Sequence, residues 1–271
     1  MRPMQGAVRI DFELLARSGG LERLRLPEFL GIGMPQGGTG WLHRILDGHP
    51  QVFVPRRKEL HFWDRQPHRG VRHYSRWFAA AAPGVKVGEV TPAYAALPIE
   101  RVRRIHRALP GVRAIYIVRN PIERDWSAAR RQLGRRLGTN DLSGITDSDW
   151  DEVFDRRSMP TRAATASANI ERWLEVIDRD QLLVVNFDDV GSAAVAVARS
   201  VFGHIGVDTD HRPDPDLLGR KVNSNPEAPM PRSVRARLID AYAGEIDRMA
   251  SILERDLRHW LDPGSPPDVG R

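Results

Sequence analysis

Three short stretches of this chain carry residue types that could do chemistry together. The first is Met34-Pro-Gln-Gly-Gly-Thr-Gly-Trp41. Gly37, Gly38 and Gly40 leave little side-chain bulk, so successive backbone N–H groups can converge on an anion at the positive end of a following helix. The strict Walker pattern is not met. Gly33 and Gly38 have the right separation, but Thr39 stands where Lys belongs and Gly40 where Ser or Thr belongs, which disfavours ordinary ATP or GTP hydrolysis. The second stretch ends a buried strand at Arg119 and reaches Ser127 about two helical turns later. Arginine offers a phosphate a bidentate fork and serine adds one donor. The third is Lys58-Glu-Leu-His-Phe-Trp-Asp64. Read alone, Glu59 and Lys58 form a solvated pair and His61 packs; a partly desolvated Glu59 would instead be a proton acceptor.

These residues need elements to hold them. Apolar, β-branched runs predict strands near 29–33, 85–89, 112–118 and 182–186, with a short extended segment at 51–55. Helical spacing predicts helices after the glycine loop, over 71–81, 99–109, 122–136, 150–158 and 163–177, and from Asp188-Asp189, available as a cap, to Phe202. A long helix over 233–260 follows an irregular proline-rich segment at 211–231, and a short one over 10–16 lies in an N-terminal extension, 1–27. Strands alternating with helices give an α/β fold, a parallel sheet flanked by helices on both faces. Ligands in such folds sit at the carboxyl ends of the strands, where all three stretches fall.

With 271 residues, 41% hydrophobic and 28% charged, the chain reads as a single domain over 1–271 with a frayed tail at 263–271. It has no cysteine, which excludes disulfides, cysteine nucleophiles and thiolate metal sites. No apolar run is long enough to span a bilayer and the N-terminus lacks a signal core, so cytoplasmic residence without membrane insertion is expected. The 41 Lys+Arg include three lysines (Lys58, Lys86, Lys221), leaving 38 arginines and a net charge of +6. The arginines are spread among acidic residues instead of forming a stripe, which favours an anionic small molecule over nucleic acid.

The same segments resemble the motifs of sulfotransferases that use 3′-phosphoadenosine 5′-phosphosulfate (PAPS), of the bacterial and heparan-sulfate-modifying type. Phe29–Leu46 resembles the P-loop-type 5′-phosphosulfate loop, Lys58–Asp64 the Lys-Glu-x-His-Phe-Phe-Asp segment, Gly88–Tyr94 the Gly-Glu-Lys-Thr-Pro-x-Tyr segment, and Ile117–Ser127 the 3′-phosphate motif. The resemblance implies sulfuryl transfer to a hydroxyl or amine of a small-molecule, lipid or carbohydrate acceptor, leaving adenosine 3′,5′-bisphosphate (PAP), with no metal. It makes Glu59 the general base and His61 its assistant. It puts the donor on Gly37, Gly38, Thr39, Gly40, Arg119 and Ser127, with Arg220 and Lys221 closing over the 3′-phosphate. Trp41, Trp63, Tyr94 and Trp126 are candidates to line the adenine or acceptor pockets.

Two positions depart from that pattern. The loop lysine that neutralises the leaving oxygen is replaced by Gln36, and the lysine of the Glu-Lys-Thr-Pro segment by Val90. Glutamine donates hydrogen bonds but carries no charge. No substitute lysine stands out in the sequence, so the expected replacement is an arginine, Arg57 or Arg220. A P-loop nucleotide kinase and a non-catalytic nucleotide-binding protein are the competing readings.

Overall fold

A computed structural model describes residues 24–155, 165–219 and 228–262. The predicted helix over 10–16, the pair Arg220 and Lys221, and the tail from 263 lie outside these residues.

Five parallel strands form one sheet in the order β2-β3-β1-β4-β5: β1 (Phe29–Gly31), β2 (Val52–Phe53), β3 (Lys86–Val90), β4 (Arg113–Val118) and β5 (Leu182–Asn186). The fifth strand, β2, is the predicted extended segment, paired along the outer side of β3 through Val52 and Phe53. Side chains alternate between the faces, as strand geometry requires. Phe29, Ile115 and Ile117 point into one apolar cluster, and Leu30, Ala114, Tyr116 and Val118 into the other.

Helices α1 (Thr39–Asp47) and, later in the chain, Ala194–Ile205 cover the first face. The second is covered by α2 (Ile99–Ala108), α3 (Pro121–Leu137), α4 (Asp147–Asp155), α5 (Ala166–Leu174) and a 22-residue helix, Arg232–Leu253. Helix α3 starts where the sequence says it should. Pro121 occupies its first turn, where a missing N–H costs nothing, and the Asn120 side chain accepts from the Ile122 amide at 2.9 Å. Because every strand is parallel, the segments after β1, β3 and β4 all leave from one edge of the sheet.

Three predicted helices differ in detail. The 71–81 segment is an α turn, Val71–Ser75, followed by a 3-10 turn, Arg76–Phe78. The helix expected from 188 to 202 breaks at Ala193, and its N-cap is Asn186, which accepts from the Asp188 amide at 3.0 Å. The Asp188 carboxylate instead accepts from the Trp260 indole N–H at 2.7 Å, and Asp189 pairs with Arg255. The C-terminal helix stops at Leu253, where Glu254 turns into the left-handed region (φ 50°), and Arg258–Leu261 form a 3-10 turn. Among the described residues no helix is long and apolar enough to cross a membrane.

Candidate active site

The glycine loop leaves β1 and turns at once. The Gly37 amide donates to the Met34 carbonyl at 3.0 Å, and Gln36 adopts a left-handed backbone (φ 64°). Gly38, the N-cap of α1, has φ 97° and no side chain to cap the helix. The first amides of α1 therefore meet no side-chain cap and are oriented for an anion. A Cβ on Gly38 would lie 2.4 Å from the Phe187 ring, and one on Gly37 2.9 Å from the Met34 carbonyl oxygen. The cradle exists because both positions lack a side chain.

The end of β4 comes directly against this loop. Arg119 donates to the Gln36 carbonyl at 3.2 Å, and its guanidinium lies 5.1 Å from the Phe187 ring centroid. Ser127, buried on α3, donates to Gln36 Oε1 at 3.5 Å. Gln36 thus touches both residues expected to hold a second phosphate, one through its carbonyl and one through its side chain. Phe187, which supports Arg119 and fills the space beside Gly38, carried no recognisable sequence pattern. Trp41 is buried in the apolar cluster with Leu42, although its indole N–H has no partner among the described residues. Trp63, Tyr94 and Trp126 are likewise buried; Tyr94 and Trp126 hydrogen-bond within the fold, Trp126 to the Ala228 carbonyl.

Segment 58–64 is held against the carboxyl end of β3 by a run of backbone amides. Glu59 N–H donates to the Val90 carbonyl, Leu60 N–H to the Glu89 carboxylate and His61 N–H to Thr91 Oγ1; Phe62 and Trp63 N–H both reach the Tyr94 hydroxyl. The two motifs Lys58–Asp64 and Gly88–Tyr94 are therefore halves of one clamp. Its hub is Glu89, fully buried and accepting from Tyr74, Tyr94 and Thr91 at 2.5, 2.9 and 2.6 Å. Burial raises its pKa above the ordinary carboxylate value against the pull of these donors.

The clamp forces left-handed backbones on Glu59 (φ 63°) and His61 (φ 54°). Among the described residues four non-glycines have positive φ: Gln36, Glu59, His61 and, at a helix end, Glu254. Such conformations cost about 1–3 kcal/mol each and cluster where function requires them. His61 Nδ1 lies 2.7 Å from Asp64 Oδ2, while its Nε2 faces Glu59 Oε2 at 3.5 Å. Asp64 fixes the ring. With its proton on Nδ1, the imidazole presents a lone pair to Glu59 and can receive a proton that Glu59 has taken up. The Glu59 side chain is 42% exposed, more open than the partly desolvated carboxylate the sequence suggests.

Val90 packs beneath the loop against Gly31 and Leu42, at the position of the missing second lysine. Arg57, an expected replacement cation, is exposed and sits over the Trp77 ring at 5.8 Å. Lys58, in contrast, donates to Thr39 Oγ1 at 3.3 Å and to Glu59 Oε1 at 3.4 Å. Lys58 is thereby brought beside the first residue of α1, 19 positions away along the chain. Asp64, whose place in the motif carries no role legible from sequence, is the residue that orients His61. Arg124 is buried and paired with Asp125 at 3.1 Å.

The chain resembles known proteins in sequence and shape. A profile of the sulfotransferase family matches residues 65–211, a span that holds Arg119 and Ser127. Heparan sulfate glucosamine 3-O-sulfotransferase 6 from Mus musculus is 28% identical over 184 residues, covering 68% of this chain and 53% of that protein. The membrane-associated sulfotransferase kil1 of Dictyostelium discoideum is 30% identical over 107 residues, 38% of this chain and 22% of that one. The chain spans about half the length of the heparan sulfate relatives it matches. In shape, a sulfotransferase from Alicyclobacillus acidocaldarius superposes with a TM-score of 0.67 at 24% identity, over 87% of this chain and 99% of that one. With the profile covering more than half of its 271 residues, the chain belongs to the sulfotransferase family.

Proposed function

We propose that this chain transfers a sulfuryl group from PAPS to an acceptor hydroxyl or amine. The observation that carries the reading is the convergence on Gln36. A glycine cradle at the start of α1, an arginine ending β4 and a buried serine on α3 meet at one residue. Two such groups side by side would serve a nucleotide bearing phosphates at both its 5′ and 3′ positions. The lack of Cβ atoms at Gly37 and Gly38 and the α1 amides provide for the 5′ group, and the guanidinium of Arg119 with the Ser127 hydroxyl for the 3′ group. Trp41, with its unpartnered indole N–H, fits as a further donor bordering the cradle. Arg220 and Lys221 remain part of the proposed 3′-phosphate site on the resemblance alone.

The donor supplies an activated sulfuryl group, and the chain's residues do the rest. Glu59 removes the proton from the acceptor hydroxyl as the new S–O bond forms. His61, held by Asp64, shares that proton. Thr39 and the loop amides receive the charge that builds on the departing phosphate oxygen. The names of the heparan sulfate relatives point to a glucosamine 3-oxygen, so a carbohydrate hydroxyl heads the acceptors carried over to this chain, followed by small-molecule and lipid hydroxyls and amines. Incubating the protein with PAPS and such a panel, with mass-spectrometric detection of an 80-dalton addition (about the mass of SO3), tests the reading. Transfer that Glu59→Gln lowers by roughly 100-fold, with PAP binding kept, is expected. Tight PAP binding without transfer to any acceptor would instead identify a nucleotide-binding protein.

A further inference from the structure

The geometry points to Lys58 as the cation that neutralises the leaving phosphate, a charge delivered from the clamp segment because the loop position, Gln36, cannot supply it. This rests on the sulfuryl-transfer reading above. Three observations converge. The two positions from which a lysine would reach the cradle carry Gln36 and the buried Val90. Lys58 Nζ is already 3.3 Å from Thr39 Oγ1, the hydroxyl of the first residue of α1, and so at the mouth of the cradle. And three other cations around the loop are engaged, Arg119 on Gln36 and Phe187, Arg124 on Asp125 and Arg57 over Trp77, while Arg131 lies close enough to Lys58 to act on its charge. Of the remaining lysines, Lys86 pairs with Glu28 at 2.6 Å at the amino end of β3, the edge away from the loop, and Lys221 lies outside the described residues.

Lys58 also contacts the base, with Nζ 3.4 Å from Glu59 Oε1. One ammonium therefore touches both the cradle hydroxyl and the carboxylate that must lose its partner before it can act. A donor seated in the cradle brings an anion that competes with Glu59 for Lys58. As Lys58 turns to it, Glu59 is released to take the acceptor proton. In the step itself the bond from sulfur to the bridging oxygen breaks and its electron pair stays on that oxygen, now a 5′-phosphate oxygen. The bond from sulfur to the acceptor oxygen forms, and the acceptor proton goes to Glu59. Lys58 donates hydrogen bonds to the departing oxygen and keeps its protons. Burial, with Arg131 nearby, lowers the Lys58 pKa while Glu59 raises it, a balance consistent with an ammonium whose anionic partner is exchangeable.

The test compares wild type, Lys58→Met, Lys58→Arg and Lys58→Met/Gln36→Lys for PAP affinity by calorimetry and for PAP release from PAPS with the acceptor panel. Removing one preorganised donor to a developing oxyanion costs about 10²–10³-fold in turnover. Lys58→Met should fall by that much with PAP affinity within tenfold, Lys58→Arg should retain more, and Gln36→Lys in the Met background should regain at least tenfold. Turnover of Lys58→Met within twofold of wild type overturns the assignment and leaves the sulfotransferase reading standing. So does a loss that Gln36→Lys does not relieve, since Lys58 would then serve only to hold Glu59. A wild type that neither binds PAP nor cleaves PAPS overturns both.

Discussion

Replacing Gly38 by alanine tests how the cradle is built. At φ 97° an L-residue incurs the left-handed penalty, about 1–2 kcal/mol. The new methyl would also sit 2.4 and 2.5 Å from Phe187 Cδ2 and Cε2. Ordinary contact begins near 3.4 Å, so the ring must retreat by roughly 1 Å, and overpacking of this kind costs about 1–3 kcal/mol. Together the two effects give about 2–5 kcal/mol of lost stability, measurable by urea denaturation. The ring that moves is the one beneath the Arg119 guanidinium, 5.1 Å away, so PAP affinity should fall as well. Gly38→Ala/Phe187→Leu should recover the overlap part and leave about 1–2 kcal/mol. Gly38→Ala within about 0.5 kcal/mol of wild type and with unaltered PAP affinity would refute the reasoning.

Further expectations concern the clamp and the histidines. Tyr94→Phe removes the hydroxyl that donates to Glu89 and accepts from Phe62 and Trp63 N–H, leaving buried groups unpaired at about 1–3 kcal/mol. Turnover should drop with PAP binding little changed; unaltered thermal stability and turnover would show that the clamp does not position Glu59. His49 is buried, with Nδ1 accepting from the Gln51 amide and Nε2 against the Asp208 carbonyl, an arrangement suited to the neutral ring. Burial lowers its pKa below 6.5, with His211 adding to the effect and Asp208 opposing it. The unfolded chain then binds more protons between the folded value and 6.5, so this stability is complete above pH 6.5 and is lost as pH falls through that window. Denaturation at pH 7.5 and 5.5 (about one unit either side) should show a smaller acid loss for His49→Gln than for wild type, and equal losses would contradict the assignment.

How much of this was legible in the sequence varies by element. The nearly continuous apolar run Val112–Val118, rich in β-branched residues, marks a buried strand and Asn120-Pro121 its following helix start, so Arg119 and Ser127 fall on a strand end and a helix from spacing alone. Strand β2 was harder, because two residues at a sheet edge bury too little to leave a periodic pattern. The motif segments were recognisable singly, but their pairing was not. Five amides reaching residues 89–94 depend on left-handed turns at Glu59 and His61, and such turns in non-glycine residues leave no mark in composition. The approach of Lys58 to Thr39 escapes the sequence for a related reason: it is a tertiary contact between positions 19 apart. Asp188 was assigned a local capping role, whereas a remote indole, Trp260, claims its carboxylate.

The central claim is that the carboxyl edge of this sheet holds a nucleotide by its 3′-phosphate as well as its 5′-phosphate. Calorimetry of PAP against adenosine 5′-monophosphate, in wild type and in Arg119→Ala, tests it most directly. A charge-assisted hydrogen-bonded phosphate is worth about 1.5–3 kcal/mol, so wild type should prefer PAP by about 10–150-fold. Arg119→Ala should lose most of that preference while binding the monophosphate nearly as well as wild type does. Equal affinity of the wild type for the two nucleotides, or a preference that survives in Arg119→Ala, would contradict the account.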